Sequence, residues 1–127
     1  MNGPGGALSG LNAETFRAEN REGDWEGFLR ATLAVDFVLR RANKAKPDED
    51  ADTMIAAIAN DTRKRRLLEE TVRVFEGETV GVVTSVVELA DPPNPEDRFF
   101  QNAKVFQRVA GDEWRLSYWQ VSGKPSP

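Results

Sequence analysis

The sequence contains no cysteine and no histidine among its 127 residues. Without cysteine there is no disulfide framework and no thiolate to act as a nucleophile or to bind zinc or iron, which fits a reducing compartment. Without histidine the chain lacks the commonest general base and the commonest metal ligand in proteins. These two absences exclude Ser-His-Asp and Cys-His catalysis and His-ligated metal centres, so we expect neither a metal nor a cofactor.

The chain has no excess of positive charge, because its 17 Lys and Arg residues are outnumbered by 21 Asp and Glu residues. The formal net charge is −4. This balance opposes attraction to nucleic acid or to an anionic membrane surface. The basic run "RKRR" at 63–66 has acidic neighbours and no interleaved aromatic residues, which favours an ordinary charged surface. No stretch resembles a signal peptide or a membrane span. The sequence therefore predicts a cytoplasmic protein without a nucleic-acid or membrane partner.

Glycine is concentrated at the amino terminus, where "MNGPGGALSG" also has few bulky side chains. Such composition predicts a flexible tail over residues 1–10. Asn12 is a suitable cap for a first helix that runs to about Arg21. The chain is long enough to bury one core without cross-links, so we expect a single domain over residues 11–122 and a short tail over residues 123–127.

Helical spacing of apolar residues predicts two further helices. One begins after Asp24, which is a suitable N-cap, and carries an apolar stripe that extends to Leu33. Another begins after Asp48 or Asp50 and carries its apolar residues on one side. Both stripes are typical of a helix face that packs on a core.

Strand periodicity dominates the rest of the chain. The pattern changes to a period of two at Asp36, and later segments form two hairpins that turn at Gly77 and Gly111. The second hairpin distributes its aromatic residues over both faces: Phe99, Phe100, Phe106, Trp114, Tyr118 and Trp119. A sheet that is aromatic on both sides covers one side with its own helices and the other with a second copy of the chain. The order of elements predicts an α+β domain.

Three segments resemble the nuclear transport factor 2-like superfamily, in particular its SnoaL-like and ketosteroid-isomerase-like members. They are "EGDWEGFLRATLAVDFVLRRA", "VRVFEGETVGVVTSVV" and "NAKVFQRVAGDEWRLSYWQVS", and the resemblance runs from about Leu11 to Ser122. It implies a cone-shaped α+β barrel in which three N-terminal helices pack on a strongly curved, mostly antiparallel sheet. It also implies a pocket between helices and sheet, and a homodimer through the outer sheet face.

Ketosteroid isomerases need a base, a tyrosine and a protonated aspartate that stabilises an oxyanion. Position by position, the resemblance places Phe16 where the tyrosine belongs and Arg41 or Arg40 where the base belongs. Counting back from Gly111 places Ala103 at the oxyanion aspartate. All three groups are missing, so we predict no catalytic residue for this chemistry.

The strand after Asp36 supplies the main candidates for a binding site. Its alternation places Phe37, Leu39 and Arg41 on one side of the strand, with Arg41 at the pocket mouth. A guanidinium at that place can bind a carboxylate through two parallel hydrogen bonds, in a bidentate pair. Asp36 itself is interpreted as an acid that accepts backbone N–H groups in a turn. Gln101 shares the parity of Ala103, and Trp119 is a candidate pocket wall. The predicted ligand-binding residues are Phe16, Phe37, Leu39, Arg41, Gln101 and Trp119.

The leading hypothesis is a non-catalytic, homodimeric protein that binds a small, largely apolar molecule, with an acidic group of that molecule near Arg41. One alternative is a cyclase, isomerase or dehydratase that uses acids and water, and another is a dimerisation or assembly module with a filled cone. An enzyme of this kind needs a carboxylate inside the cavity, a binding protein needs an open cavity without one, and an assembly module needs no cavity.

Overall fold

The computed structural model describes residues 3–42, 46–75, 77–92, 94–95, 98–111 and 113–123. Within these ranges the elements are α1 (Pro4–Glu19), α2 (Trp25–Thr32), β1 (Leu33–Arg41), α3 (Ala51–Ala59), β2 (Arg65–Val74), β3 (Val80–Leu89), β4 (Phe99–Ala110) and β5 (Glu113–Gly123). The strands form one sheet in the order β1-β5-β4-β3-β2, antiparallel except for the β1–β5 pair. The predicted α+β architecture is confirmed. The sheet itself is open, with β1 and β2 at its edges, so the helices complete the enclosure.

The amino-terminal segment differs from the prediction. Residues 1–10 were predicted as a tail, whereas α1 begins at Pro4 and the side chain of Leu8 is fully buried. Leu8 lies over Gly81 of β3, where an added Cβ would overlap the Leu8 side chain. The tertiary contact stabilises a helix that its glycine-rich sequence would not form alone. At the other end β5 includes Gly123, and residues 124–127 of the predicted second tail lie outside the described residues.

Two of the three predicted helix N-caps are present, whereas Asn12 lies inside α1, whose N-cap is Gly3. The side chain of Asp24 accepts a hydrogen bond from the backbone N–H of Gly27 at 3.3 Å, and Asp50 accepts one from Thr53 at 2.8 Å. These bonds satisfy N–H groups that the first turn of a helix leaves without partners. The second helix nevertheless ends at Thr32, and Leu33 is the first residue of β1.

Both predicted hairpins are confirmed. Gly77 lies between β2 and β3 and Gly111 between β4 and β5, with φ of +86° and +51° respectively. Glycine adopts this left-handed region at no steric cost, which explains its place in each turn.

Bulges interrupt the alternation of inward and outward side chains in the second hairpin. Arg108 pairs with Trp114 and Ala110 with Glu113, which leaves Val109 as an extra residue on β4. A second register shift leaves Ser117 as an extra residue on β5. Each extra residue turns the side chains beyond it to the opposite face of the sheet. Counting alternate residues along a strand from the turn at Gly111 therefore assigns the residues beyond the bulge to the wrong face.

A larger irregularity lies in β1 around Asp36. Leu33 pairs with Leu116 and Val38 with Tyr118, so the intervening residues of β1 outnumber those of β5. Val35 and Asp36 are exposed in this bulge. Among the described residues nothing donates a hydrogen bond to the Asp36 side chain, so the predicted turn-holding role of this acid is wrong.

The hydrophobic core lies between the helices and the inner sheet face. Its fully buried members come from all parts of the fold and include Leu8, Leu29, Val83, Phe106 and Leu116. None of the helices in the described ranges has the length and apolar character needed to cross a membrane.

Candidate ligand-binding cavity

A cavity of about 570 Å³ lies between α3, the end of α1 and the inner face of the sheet. This volume is typical of sites that hold a small molecule. One part of its lining is apolar and includes Leu39, Met54, Val87, Leu89, Phe100 and Trp119. The other part is charged and includes Glu19, Arg41, Glu49, Asp61, Arg63 and Arg65.

The strand register arranges the inner-face residues of the sheet in rows. One row crosses four strands as Arg41, Val121, Asn102 and Ser85. The next row crosses the same strands as Leu39, Trp119, Lys104 and Val83. Arg41 and Asn102 are therefore separated by one strand, and Asn102 and Trp119 are diagonal neighbours on adjacent strands.

Arg41 lines the cavity but already has a carboxylate partner. Its Nε lies 3.2 Å from Oε2 of Glu49, and both side chains are largely buried. Glu49 is held in place because its backbone N–H and C=O both bond to the backbone of Leu39, at 2.9 and 2.8 Å. The anion that the sequence predicted beside Arg41 is thus supplied from within the chain.

A second ion-pair cluster surrounds Arg65. Its guanidinium lies 3.2 Å from Glu19 and 2.9 Å from Asp61, and Arg63 lies 3.1 Å from Asp61. Burial would raise the pKa of Asp61, but hydrogen bonds from Arg63 and Arg65 outweigh it and hold that pKa below its usual range. Burial would lower the pKa of Arg65, but Glu19 and Asp61 outweigh it and raise that pKa. The charges of Asp61 and Arg65 are therefore stable at neutral pH.

A lysine lies fully buried beside the cavity wall. Nζ of Lys104 donates to Oδ1 of Asn12 at 2.8 Å and to Oγ1 of Thr15 at 2.6 Å. It also lies 3.9 Å from the centre of the Phe16 ring and 4.2 Å from that of the Trp119 ring. These contacts replace part of the hydration that burial removes from an ammonium group.

Burial lowers the pKa of Lys104 to about 7, although the charges of Glu19 and Glu70 oppose the shift. Glu70 belongs to the same polar network, because it accepts hydrogen bonds from Ser9 at 2.6 Å and from Asn12 at 2.7 Å. The network fastens the middle of α1 to β2 and β4 of the sheet.

The six predicted ligand-binding residues fall into three groups. Leu39, Arg41 and Trp119 line the cavity. Phe16 and Phe37 are buried nearby without lining it, and Phe16 instead contacts Lys104. Gln101 is exposed, so its predicted orientation is wrong. The binding roles of the lining residues remain predictions.

The error at Gln101 has a physical cause. The inward face of β4 was counted from Gly111, but the bulge at Val109 reverses the parity. The inward residues are Asn102, which is 4% exposed, and Lys104. Where an oxyanion-stabilising aspartate was sought at Ala103, the cavity holds the amide of Asn102 instead.

Sequence reasoning missed most polar residues of this region, among them Glu49, Asp61, Asn102 and Lys104. The alternation of Phe100, Asn102, Lys104 and Phe106 was available in the sequence as a signal for one face of β4. Nothing local marks Glu49 or Asp61, because both reach the cavity from segments next to α3 rather than from a periodic element. Among the described residues, no group of three Asp or Glu side chains is close enough to hold a metal ion.

No family model and no curated protein matches the sequence. Solved structures are similar over nearly the whole chain. An NTF2-like protein from Cytophaga hutchinsonii is 14% identical with a TM-score of 0.74, and the match covers 98% of this chain and 100% of that one. The CaMKII hub of S. rosetta is 20% identical with a TM-score of 0.76, covering 98% and 99%. A cystatin-like fold protein from Burkholderia xenovorans is 14% identical with a TM-score of 0.72, covering 98% and 94%. The chain therefore has the nuclear transport factor 2-like fold that the sequence resemblance predicted.

Proposed function

We propose that the protein binds a small molecule in the cavity between α3 and the sheet. The observation that carries this proposal is the cavity itself, in which an apolar wall faces a polar wall whose ion pairs are already formed. Apolar walls supply affinity by losing contact with water, and fixed polar groups supply orientation. A module whose cone is filled by its own side chains would not contain such a space.

Catalysis is a second candidate function, because Glu19, Glu49 and Asp61 place carboxylates in the cavity lining. A carboxylate inside the cavity was the feature expected of an enzyme rather than of a binding protein. Each of these acids, however, is paired with an arginine. This pairing lowers the pKa of Asp61 and makes it a weaker base than an ordinary aspartate. By that criterion the carboxylates favour catalysis, whereas their pairing with arginines favours binding. On this second ground binding remains the leading proposal.

We also propose that the protein self-associates through the outer face of β4 and β5. Tyr118 and Val105 are register partners on this face, opposite in parity to the buried Trp119 and Phe106. Both are half-buried in the single chain, and a second copy would remove their remaining apolar surface from water. Sedimentation equilibrium of the wild type and of Val105→Glu tests this, with a dimer expected for the first and a monomer for the second. A monomeric wild type would contradict the proposal.

Two neighbouring alanines of α3 allow a controlled test of the cavity. Both Ala56 and Ala57 are exposed, but only Ala57 lines the cavity. We expect Ala57→Trp to obstruct the cavity, while Ala56→Trp adds the same side chain outside it. Fragments from a small-molecule collection are then compared by their effect on the Tm of the three proteins.

Fragments that occupy the cavity raise the Tm of the wild type and of Ala56→Trp but not that of Ala57→Trp. Fragments that stabilise all three proteins equally, or a collection without a single stabilising fragment, would contradict the proposal. NMR spectra of bound fragments separate binding from catalysis: unchanged fragments support binding, and consumption that stops in Glu49→Gln supports catalysis.

A further inference from the structure

Four buried polar atoms that belong to residues of the cavity lining have no hydrogen-bond partner among the described residues. They are Oε1 of Glu19, Oε1 of Glu49, Oδ1 of Asn102 and Nε1 of Trp119. The other carboxylate oxygen of each glutamate is already used in the ion pairs with Arg65 and Arg41. Buried polar groups are almost always satisfied in folded proteins, so four orphans around one cavity indicate what a ligand must provide.

The four atoms favour a ligand rich in hydrogen-bond donors. Three of them are acceptors, while the indole N–H of Trp119 is a donor only. Asn102 and Trp119 are diagonal neighbours on β4 and β5, within reach of one small group between them. A hydroxyl group accepts a hydrogen bond from the indole N–H and donates one to the amide oxygen. A carboxylate can accept the first bond but has no proton for the second.

The charges of the lining argue against an ionic ligand. Arg41, Arg63 and Arg65 each hold a carboxylate of the same cavity. An anion or a cation entering the cavity would lose its hydration and find its natural counter-charges already paired. Lys46 also lines the cavity, but its side chain is exposed to solvent, which screens its charge.

We propose that the cavity takes an uncharged molecule that carries hydroxyl or amide N–H groups on an apolar body. One hydroxyl group lies between Nε1 of Trp119 and Oδ1 of Asn102, and the body lies against Leu39, Val87 and Phe100. The acidic ligand predicted from the sequence does not fit this arrangement, because Glu49 already neutralises Arg41. The inference rests on the proposed binding function and specifies the class of its ligand.

The test uses four probes of nearly equal size: benzyl alcohol, benzoate, benzylammonium and toluene. Each is titrated into the ¹⁵N-labelled full chain while the three tryptophan indole signals are followed by NMR, after assignment by single Trp→Phe variants. Trp114 supplies an internal control, because its Nε1 is also buried without a partner among the described residues but lies away from the cavity. We expect benzyl alcohol to move the Trp119 signal and leave the Trp114 signal in place. We expect its Kd to be at least tenfold lower than that of the other three probes.

Two variants test the assigned contacts separately. Asn102→Leu removes the amide at similar volume, and Trp119→Phe removes the indole N–H. Each should weaken benzyl alcohol binding about tenfold, relative to toluene binding by the same variant. Because Trp119→Phe lacks the Trp119 indole signal, binding to that variant is followed by the backbone amide signals of cavity-lining residues. If one variant fails to fold, the other still tests the hydroxyl position.

The outcomes distinguish the ligand class from the proposed function. Benzoate or benzylammonium that moves the Trp119 signal with the lowest Kd, or toluene that binds as well as the alcohol, would overturn the class while supporting a binding cavity. If no probe moves the Trp119 signal, the cavity is not a binding site and both proposals fail.

Discussion

The ammonium group of Lys104 lies 4.2 Å from the centre of the Trp119 ring, and the ring belongs to a residue that lines the cavity. Lys104 is fully buried and is also hydrogen-bonded to α1 through Asn12 and Thr15. The cavity wall, the buried charge and the first helix are therefore parts of one contact network. A change at any of the three is expected to affect the other two.

The buried lysine should make stability rise with pH. The pKa of Lys104 is about 7 in the folded chain against 10.5 for an ordinary lysine. Between these values the unfolded chain binds more protons than the folded chain, so the free energy of unfolding increases as pH rises from about 7 to about 10. The slope that Lys104 adds to the pH dependence of stability is at most about 1.4 kcal/mol per pH unit. This slope is absent well below pH 7, where the lysine is protonated in both the folded and the unfolded chain.

Urea unfolding of the wild type and of Lys104→Met between pH 7 and pH 9.5 measures this contribution. The acids whose charges act on Lys104, Glu19 and Glu70, are present in both proteins, so the comparison isolates the lysine. The rise with pH should be present in the wild type and reduced in the variant. Equal slopes in the two proteins would show that Lys104 keeps an ordinary pKa.

The packing of Leu8 on Gly81 predicts a strong effect of a single methyl group. An added Cβ at Gly81 overlaps the Leu8 side chain, so Gly81→Ala should lower the free energy of unfolding by about 1–3 kcal/mol. Gly10→Ala in α1 is the matched control, because its Cβ meets open space, and it should stabilise by up to about 1 kcal/mol. Thermal and urea unfolding measure both.

A double variant identifies the contact. In a Leu8→Ala background, the loss caused by Gly81→Ala should become smaller, because the overlapping side chain is gone. A loss of the same size in both backgrounds would place the cause of the effect elsewhere.

Two adjacent arginines should differ in their contribution to stability. Arg65 is 20% exposed and holds Glu19 and Asp61, whereas Arg66 is 74% exposed and pairs with Glu88 on the other face. Arg65→Met leaves two carboxylates without this partner and should cost about 2 kcal/mol, while Arg66→Met should change stability by less than about 0.5 kcal/mol. Chemical denaturation of both variants checks this, and equal losses would contradict the assignment of Arg65 to a partly buried cluster.

Adjacent residues of β4 should differ in ligand binding. Asn102 lines the cavity and Gln101 is exposed on the opposite face. We expect Asn102→Leu to weaken fragment binding about tenfold and Gln101→Leu to leave it unchanged. Titrations that follow the Trp119 signal measure binding by both variants. A larger effect of Gln101→Leu would mean that Gln101 faces the cavity, as the sequence predicted, and that Asn102 does not.

The sequence predicted those features that depend on neighbouring residues. Asp24, Asp50, Gly77 and Gly111 mark their caps and turns by local chemistry, and each is found where it was predicted. The helical start of the chain was missed because the burial of Leu8 depends on Gly81, far away in sequence. Local composition carries no information about such a contact.

The candidate site was predicted only in part for the same kind of reason. The alternation of β1 identified Leu39 and Arg41 correctly as inner-face residues. One extra residue at Val109 was enough to exchange the two faces of β4 and to hide Asn102 and Lys104. Bulges and long-range ion pairs have no fixed spacing in the sequence, so the polar part of the site required the structure.

The central claim, that the cavity binds an uncharged hydroxyl-bearing molecule, is tested most directly by a crystal structure of the full chain soaked with benzyl alcohol. We predict that its hydroxyl oxygen lies within 3.2 Å, a normal hydrogen-bond distance, of both Nε1 of Trp119 and Oδ1 of Asn102. Benzyl alcohol bound only outside the cavity, or bound inside it with its hydroxyl away from both atoms, would contradict the account.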